Sequence, residues 1–221
     1  EHMEVTTQLA EVKADANEFI LYSFFKSNSD YTTNLFISSD GENIKKINSN
    51  ILNVANLRDP SIVYCSGWFL IAYTGYNPAD FKISKSKDLV NWTTHAISLG
   101  FYQDSYSRIW APEWFLDEDN KLYILLSNRE GDDIVDINGD TIPNFRPYIA
   151  ECTDVETLTF SAPIALTLED SNKIDPCMIK YNGEYYIFIK DEYDKQIESW
   201  KSSTIAGTFS KISDSISPLS I

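Results

Sequence analysis

One pattern is written four times along the sequence. It reads "NEFILYSFFK" then "NLFISSDGENIKKI"; "GWFLIAYTG" then "FKISKSKDLVNWTTH"; "NKLYILLSN" then "RPYIAECTDVETLTFSAP"; and "GEYYIFIKDE" then "QIESWKSSTIAGTFSKI". Each copy is an aromatic strand, a turn, a strand ending in Ser or Cys-Thr, a short polar loop and a short last strand. The aromatic strands begin near Glu18, Trp68, Lys121 and Glu184, a spacing of roughly 50 to 60 residues that falls in the range of propeller blades. Units of this kind cannot bury their apolar faces alone, so they must stack on one another.

The local signals agree. "FILYSFF" and "WFLIAY" are short apolar runs bounded by Gly, Asn and Asp, as buried strands are, whereas "FKISKS" alternates with period two like an outer strand. Apart from the first dozen residues, no apolar stripe at helical spacing exceeds ten residues. These features predict an all-β chain: a β-propeller of four-stranded blades around a central channel, with blades at about 18–56, 57–108, 109–172 and 173–221. Residues 1–17 read as a lead-in, with Glu1, His2 and Met3 as the remnant of an expression tag. Copies two to four carry an extra leading strand, "DPSIVYCS", "APEWFLDE" and "DPCMIKYN". The first strand of a blade lies nearest the propeller axis, so Asp59, the stretch from Trp110 to Glu113, and Asp175 are predicted to face one shared cavity.

Composition narrows the partners. Aromatic residues make up 14% of the chain, too many for a disordered polymer. Thirty-three acidic against 18 basic residues give a net charge of −15, a field that repels nucleic acid and anionic membrane surfaces. Cys65, Cys152 and Cys177 are far apart, form no C-x-x-C pair and accompany only two histidines, which argues against a zinc site or a disulfide framework and for buried free thiols. No G-x-S-x-G, Walker or G-x-G-x-x-G motif is present. No cofactor is therefore expected. "DDIVDINGDT" places Asp136, Asn138 and Asp140 at the alternate spacing of a calcium loop, but Thr141 and Pro147 stand where that loop needs Gly and Glu. A hairpin with an Asn-Gly turn is the stronger reading.

Four pieces of the chain occur in one order: Arg58-Asp59-Pro60, "SKSKDLVNW" at 84–92, Trp110-Ala111-Pro112-Glu113 and Ile174-Asp175-Pro176. Together they resemble the five-bladed propellers of glycoside hydrolase family 43, the arabinanases, arabinofuranosidases and xylosidases, over residues 18 to 212. The resemblance implies an inverting glycosidase acting on arabinose- or xylose-containing poly- or oligosaccharides. Asp59 is then the general base and Asp175 the carboxylate that orients the acid and holds its pKa up; no metal ligands are implied. Arg58, Trp110, Glu113 and Lys190 are candidate substrate-binding residues: Trp110 as a platform for a sugar face, Lys190 as a cation reaching in from the fourth copy, and Glu113 as a substrate contact or a partner of Arg58 or Arg108.

The resemblance departs at one point. The family's general acid is a Glu in a Glu-Gly-Pro motif opening the blade after "IDP", whereas Glu184, Glu192 and Glu198 lie inside the fourth copy and lack that context. Four blades are visible where five are expected. Either a last blade lies on sequence beyond these residues, or the protein is a non-catalytic carbohydrate-binding propeller; the apolar faces of an open propeller favour the former. A propeller scaffold for protein partners is a third class. Glu151-Cys152 resembles a motif of glycoside hydrolase family 32, whose Asn-Asp-Pro-Asn nucleophile motif this chain lacks. Sugar, linkage and oligomeric state are not written in the sequence; a secreted or periplasmic location is favoured if the substrate is a polysaccharide.

Overall fold

The computed structural model describes residues 19–27, 30–49, 57–75, 80–102, 107–169 and 172–213, so the lead-in at 1–17 lies outside the described residues. All regular structure among them is β. A first sheet pairs β1 (Ile20–Ser27), β2 (Asp30–Ser38) and β3 (Lys45–Ser49) in order. A second runs β4 (Arg58–Cys65), β5 (Trp68–Thr74), β6 (Phe81–Ser86) and β7 (Thr93–Ile97).

In the third sheet β8 (Ile109–Leu116) pairs β9 (Leu122–Arg129), and β9 pairs β12 (Phe145–Asp154). The hairpin of β10 (Ile134–Val135) and β11 (Thr141–Ile142) lies between β9 and β12 in the chain. Its outer strand is split into β13 (Thr159–Phe160) and β14 (Ile164–Ala165), both paired with β12. The break falls at Ser161-Ala162-Pro163, where proline has no N–H for the ladder. The fourth sheet runs β15 (Lys173–Tyr181), β16 (Glu184–Asp191), β17 (Ile197–Ser202) and β18 (Ser210–Ser213). The four antiparallel meanders form four blades of a β-propeller, with β1, β4, β8 and β15 in contact in that order around the centre.

The apolar runs are continuous because both faces of each middle strand are covered. Leu70 and Ala72 of β5 pack toward the third blade, whereas Ile71 and Tyr73 pack against Leu35, Ile37 and Ile47 of the first. On β9, Leu122, Ile124 and Leu126 face the second blade, and Tyr123 and Leu125 join Ile187, Ile189 and Trp200 of the fourth. Period-two alternation thus divides each strand between two interblade cores. Truncating one of the buried leucines or isoleucines among them to alanine costs about 2–5 kcal/mol.

Polar turns fix the outer strands. After β2, the Asp40 carboxylate accepts the backbone N–H groups of Glu42 and Asn43 at 2.9 and 2.7 Å. After β6, Asp88 does the same for Val90 and Asn91 at 2.9 and 2.7 Å. Hydrogen bonds from Asn43 and Asn91 hold their carboxyl pKa values well below the usual carboxylate range, with the other turn bonds assisting. In the fourth blade the Lys173 ammonium, with no exposure, bridges Asp191 at 2.5 Å and Glu198 at 2.9 Å. A buried ion needs such complete pairing.

Candidate active site

The three inner strands that begin X-Pro share an irregularity. Three steps along β4 from Arg58 to Ser61 oppose two steps along β5 from Thr74 to Ala72. The same extra residue lies between Trp110 and Glu113, and between Ile174 and Cys177. The residue before each proline takes a positive φ: 50° at Asp59, 45° at Ala111 and 55° at Asp175. Proline pushes its predecessor toward extended backbone, so sequence alone predicts the opposite. Aspartate tolerates the left-handed region better than alanine does. Bulges of this kind re-aim side chains and cluster at sites.

The result is a central cavity of about 290 Å³ lined by Asp59, Glu113 and Asp175, the three prolines of the motif, Cys177, and Ser23, Phe24 and Phe25. Four strands from four blades therefore meet there. Asp59 Oδ2 accepts a hydrogen bond from Thr74 Oγ1 at 3.2 Å, and that hydroxyl oxygen in turn accepts the Ala111 N–H at 3.0 Å. Thr74 so ties the Asp59 carboxylate to the next blade. Arg58 Nε stands 3.9 Å from the same Oδ2, and its guanidinium lies 5.9 Å from the Phe25 ring centre. From the first blade, Ser23 Oγ donates to the Pro60 carbonyl at 2.9 Å.

The Asp175 pKa is raised to about 6, first by desolvation and then by the Asp59 charge, against the opposing pull of Lys190 and Arg58. Its side chain still reaches solvent; the desolvation comes from the protein walls of the concavity. Glu113 is half-buried. Burial pushes its pKa up, and the Ser61 hydroxyl partly offsets this. Ser61, Glu113 and Cys177 occupy equivalent positions, two residues beyond each X-Pro residue, and form a second tier along the channel. Cys65 and Cys152 are buried free thiols as expected, but Cys177 is exposed. Its place in that tier turns it to the cavity, where burial and the Glu113 charge push its pKa up.

Among the candidates from sequence, Asp59, Glu113 and Asp175 converge on this cavity, whereas Arg58, Trp110 and Lys190 are not among the residues lining it. Trp110 lies against Phe145 with ring centres 4.5 Å apart. Trp114 is in the core between blades two and three. Lys190 pairs with Glu192 at 2.5 Å and acts on Asp175 through its charge. Sequence reasoning did not place Phe24, Phe25, Thr74 or Cys177 at the site. Their signal is phase: Thr74 closes the aromatic strand, and Cys177 repeats the position of Glu113.

The acidic hairpin is fastened to the fourth blade. Asp136 Oδ1 accepts the N–H groups of Asn138 and Asp140, both at 2.9 Å. Its other oxygen stands 3.4 Å from Lys195 Nζ, and Ile137 donates its N–H to the Tyr193 carbonyl at 3.0 Å. No group of three acidic, His or Cys residues suited to a metal ion occurs among the described residues.

The architecture recurs in solved structures. One is a thermostable family-43 glycoside hydrolase, with a TM-score of 0.62 and 15% identity over 90% of this chain and 74% of that one. An endo-1,4-beta-xylanase from Bacteroides thetaiotaomicron gives 0.61 and 14% over 89% and 69%. An endo-arabinase from the same organism gives 0.63 and 12% over 87% and 74%. At such identities the likeness establishes the fold. No curated protein matches the sequence. The family model for the glycosyl hydrolase family 43-related domain, described as "Probable glycosyl hydrolase domain", matches residues 18–219. Its match spans all four blades, and the chain belongs to that family.

Proposed function

We propose that the protein is a glycoside hydrolase that cleaves arabinose- or xylose-containing oligo- or polysaccharides by a single displacement with inversion. The observation that carries this reading is the delivery of Asp59 and Asp175 by equivalent bulges of two different blades into one cavity. Inversion needs an ionised carboxylate to activate water and a carboxylic acid to protonate the leaving group. Asp59, beside the Thr74 hydroxyl and the Arg58 guanidinium, is assigned as the base. Asp175 is assigned as the neighbouring carboxyl that keeps the acid protonated by like-charge repulsion. Glu113 and the Phe24–Phe25 wall receive the sugar ring. Family membership and the likeness to a xylanase and an arabinase support the substrate class.

One observation favours a second reading. No glutamate among the described residues stands in a Glu-Gly-Pro motif, and without a proton donor the cavity would bind sugar and not cleave it. Assays with 4-nitrophenyl arabinofuranoside and xyloside, paired with calorimetric titration of the free sugars, separate the two. The hydrolase reading expects turnover in the parent protein, lost by at least about a thousandfold in Asp59→Asn with binding retained. Binding without turnover in the parent would replace it with the binding propeller.

A further inference from the structure

Four-stranded antiparallel blades begin and end on the same side of the propeller. The β7–β8 connection and the β9–β10 connection therefore emerge on the face where Asp59, Ala111 and Asp175 open their strands. On that face, between the second and third blades, lies a separate cleft of about 270 Å³ lined by Phe101, Tyr102, Ser107, Asn128, Arg129, Glu130 and Gly131. Its volume is close to that of the central cavity, about 290 Å³.

Two features make it a built site. Tyr102 is 84% exposed, leaving a large aromatic face standing in water beside the cleft, where a folded chain gains nothing from it. Asn128 is only 6% exposed, shares the strand face of Leu126 and Ile124 that looks toward blade two, and lines the cleft. Its side-chain amide has no hydrogen-bond partner among the described residues. That amide opens on the cleft, and an incoming hydroxyl both donates to and accepts from such a group. The cleft wall is firm: Ser107 Oγ donates to the Tyr102 carbonyl at 3.1 Å, and Arg129 donates its N–H to the Arg108 carbonyl at 2.9 Å. Phe101 packs edge-on against Tyr148 with ring centres 4.9 Å apart.

An exposed aromatic face together with a bifunctional amide opening on the cleft is the chemistry that recognises a sugar ring, apolar on its C–H face and hydroxylated at its rim. Building on the glycan reading of the central cavity, we propose that this cleft binds a second sugar unit of the same chain. Its polar wall leads directly into β8. From Ser107 to Ala111 is four residues, at most about 13 Å of extended strand, a separation that an oligosaccharide spans and a monosaccharide does not.

Titration of arabinose and xylose, and of their linear oligomers up to the hexamer, against the parent, Tyr102→Ala and Asn128→Ala tests this. Tyr102→Ala is safe for folding because the ring is exposed, and thermal unfolding checks Asn128→Ala. In the parent, affinity for the better series rises with chain length. In Tyr102→Ala the affinity for the longer oligomers falls on the order of tenfold, while that for the monosaccharide stays unchanged. Parent-like affinity of Tyr102→Ala for every oligomer overturns the cleft and leaves the central site standing. Failure of the parent to bind any member of either series overturns both.

Discussion

Replacing Asp175 with asparagine should stabilise the protein, and more so above pH 6 than at pH 5. The aspartate's pKa rises from 3.8 to about 6 on folding, because the cavity walls desolvate the carboxylate and Asp59 repels it. Below pH 3.8 both folded and unfolded chains hold the proton, and the group is neutral in the balance. Between there and pH 6 the unfolded chain releases it while the folded one keeps it, so stability declines as pH rises and levels off above 6. At 1.36 kcal/mol per pH unit the full cost is about 3 kcal/mol. Because the side chain reaches solvent, screening reduces this to about 1 kcal/mol. The neutral asparagine avoids that cost.

Urea unfolding of both proteins at pH 5.0, 6.0 and 7.5 reads it out, staying above the pI near 4.4 where solubility is lowest. The gain should be about 1 kcal/mol at pH 7.5, or about 2–4 °C in Tm for a chain of this size, and smaller at pH 5. An asparagine variant no more stable than the parent at pH 7.5, or one with the same gain at both ends, would refute this electrostatic account.

Lys173→Met leaves Asp191 and Glu198 buried without their shared cation, and should cost about 3–5 kcal/mol in denaturant unfolding; a loss below about 1 kcal/mol would show the carboxylates relaxing to solvent. Asp88→Ala removes the acceptor for the Val90 and Asn91 amides and should cost about 1 kcal/mol while leaving sugar binding untouched. Iodoacetamide should label Cys177 ahead of the buried Cys65 and Cys152, faster as pH rises toward the thiol's elevated pKa. Peptide mass mapping shows the order, and labelled protein should lose sugar binding, since the thiol lines the central cavity.

The blade repeat is legible in sequence because every middle strand serves two interblade cores and so reads as an unbroken apolar run. Asp59, Glu113 and Asp175 could be placed together because the innermost strand of each repeat opens at the same motif. What stayed hidden depends on local backbone geometry. The positive φ before each proline contradicts the ordinary preference of that position, and the bulge it creates decides which neighbours turn to the axis. Hence Trp110 lies against Phe145 and Cys177 enters the cavity. The wall formed by Ser23, Phe24 and Phe25 was missed for another reason. "NEFILYSFFK" matches the second strands of the other copies, and in the first sheet, where β1 pairs only with β2 among the described residues, that strand reaches the cavity itself.

The most direct test of the central claim is the anomeric form of the first sugar released, followed by proton NMR while an arabinoside or xyloside of known configuration is hydrolysed. Asp59 acting as a base on water predicts that the first product carries the inverted configuration, appearing before mutarotation. A retained configuration would mean a covalent glycosyl intermediate and would contradict the assignment of Asp59.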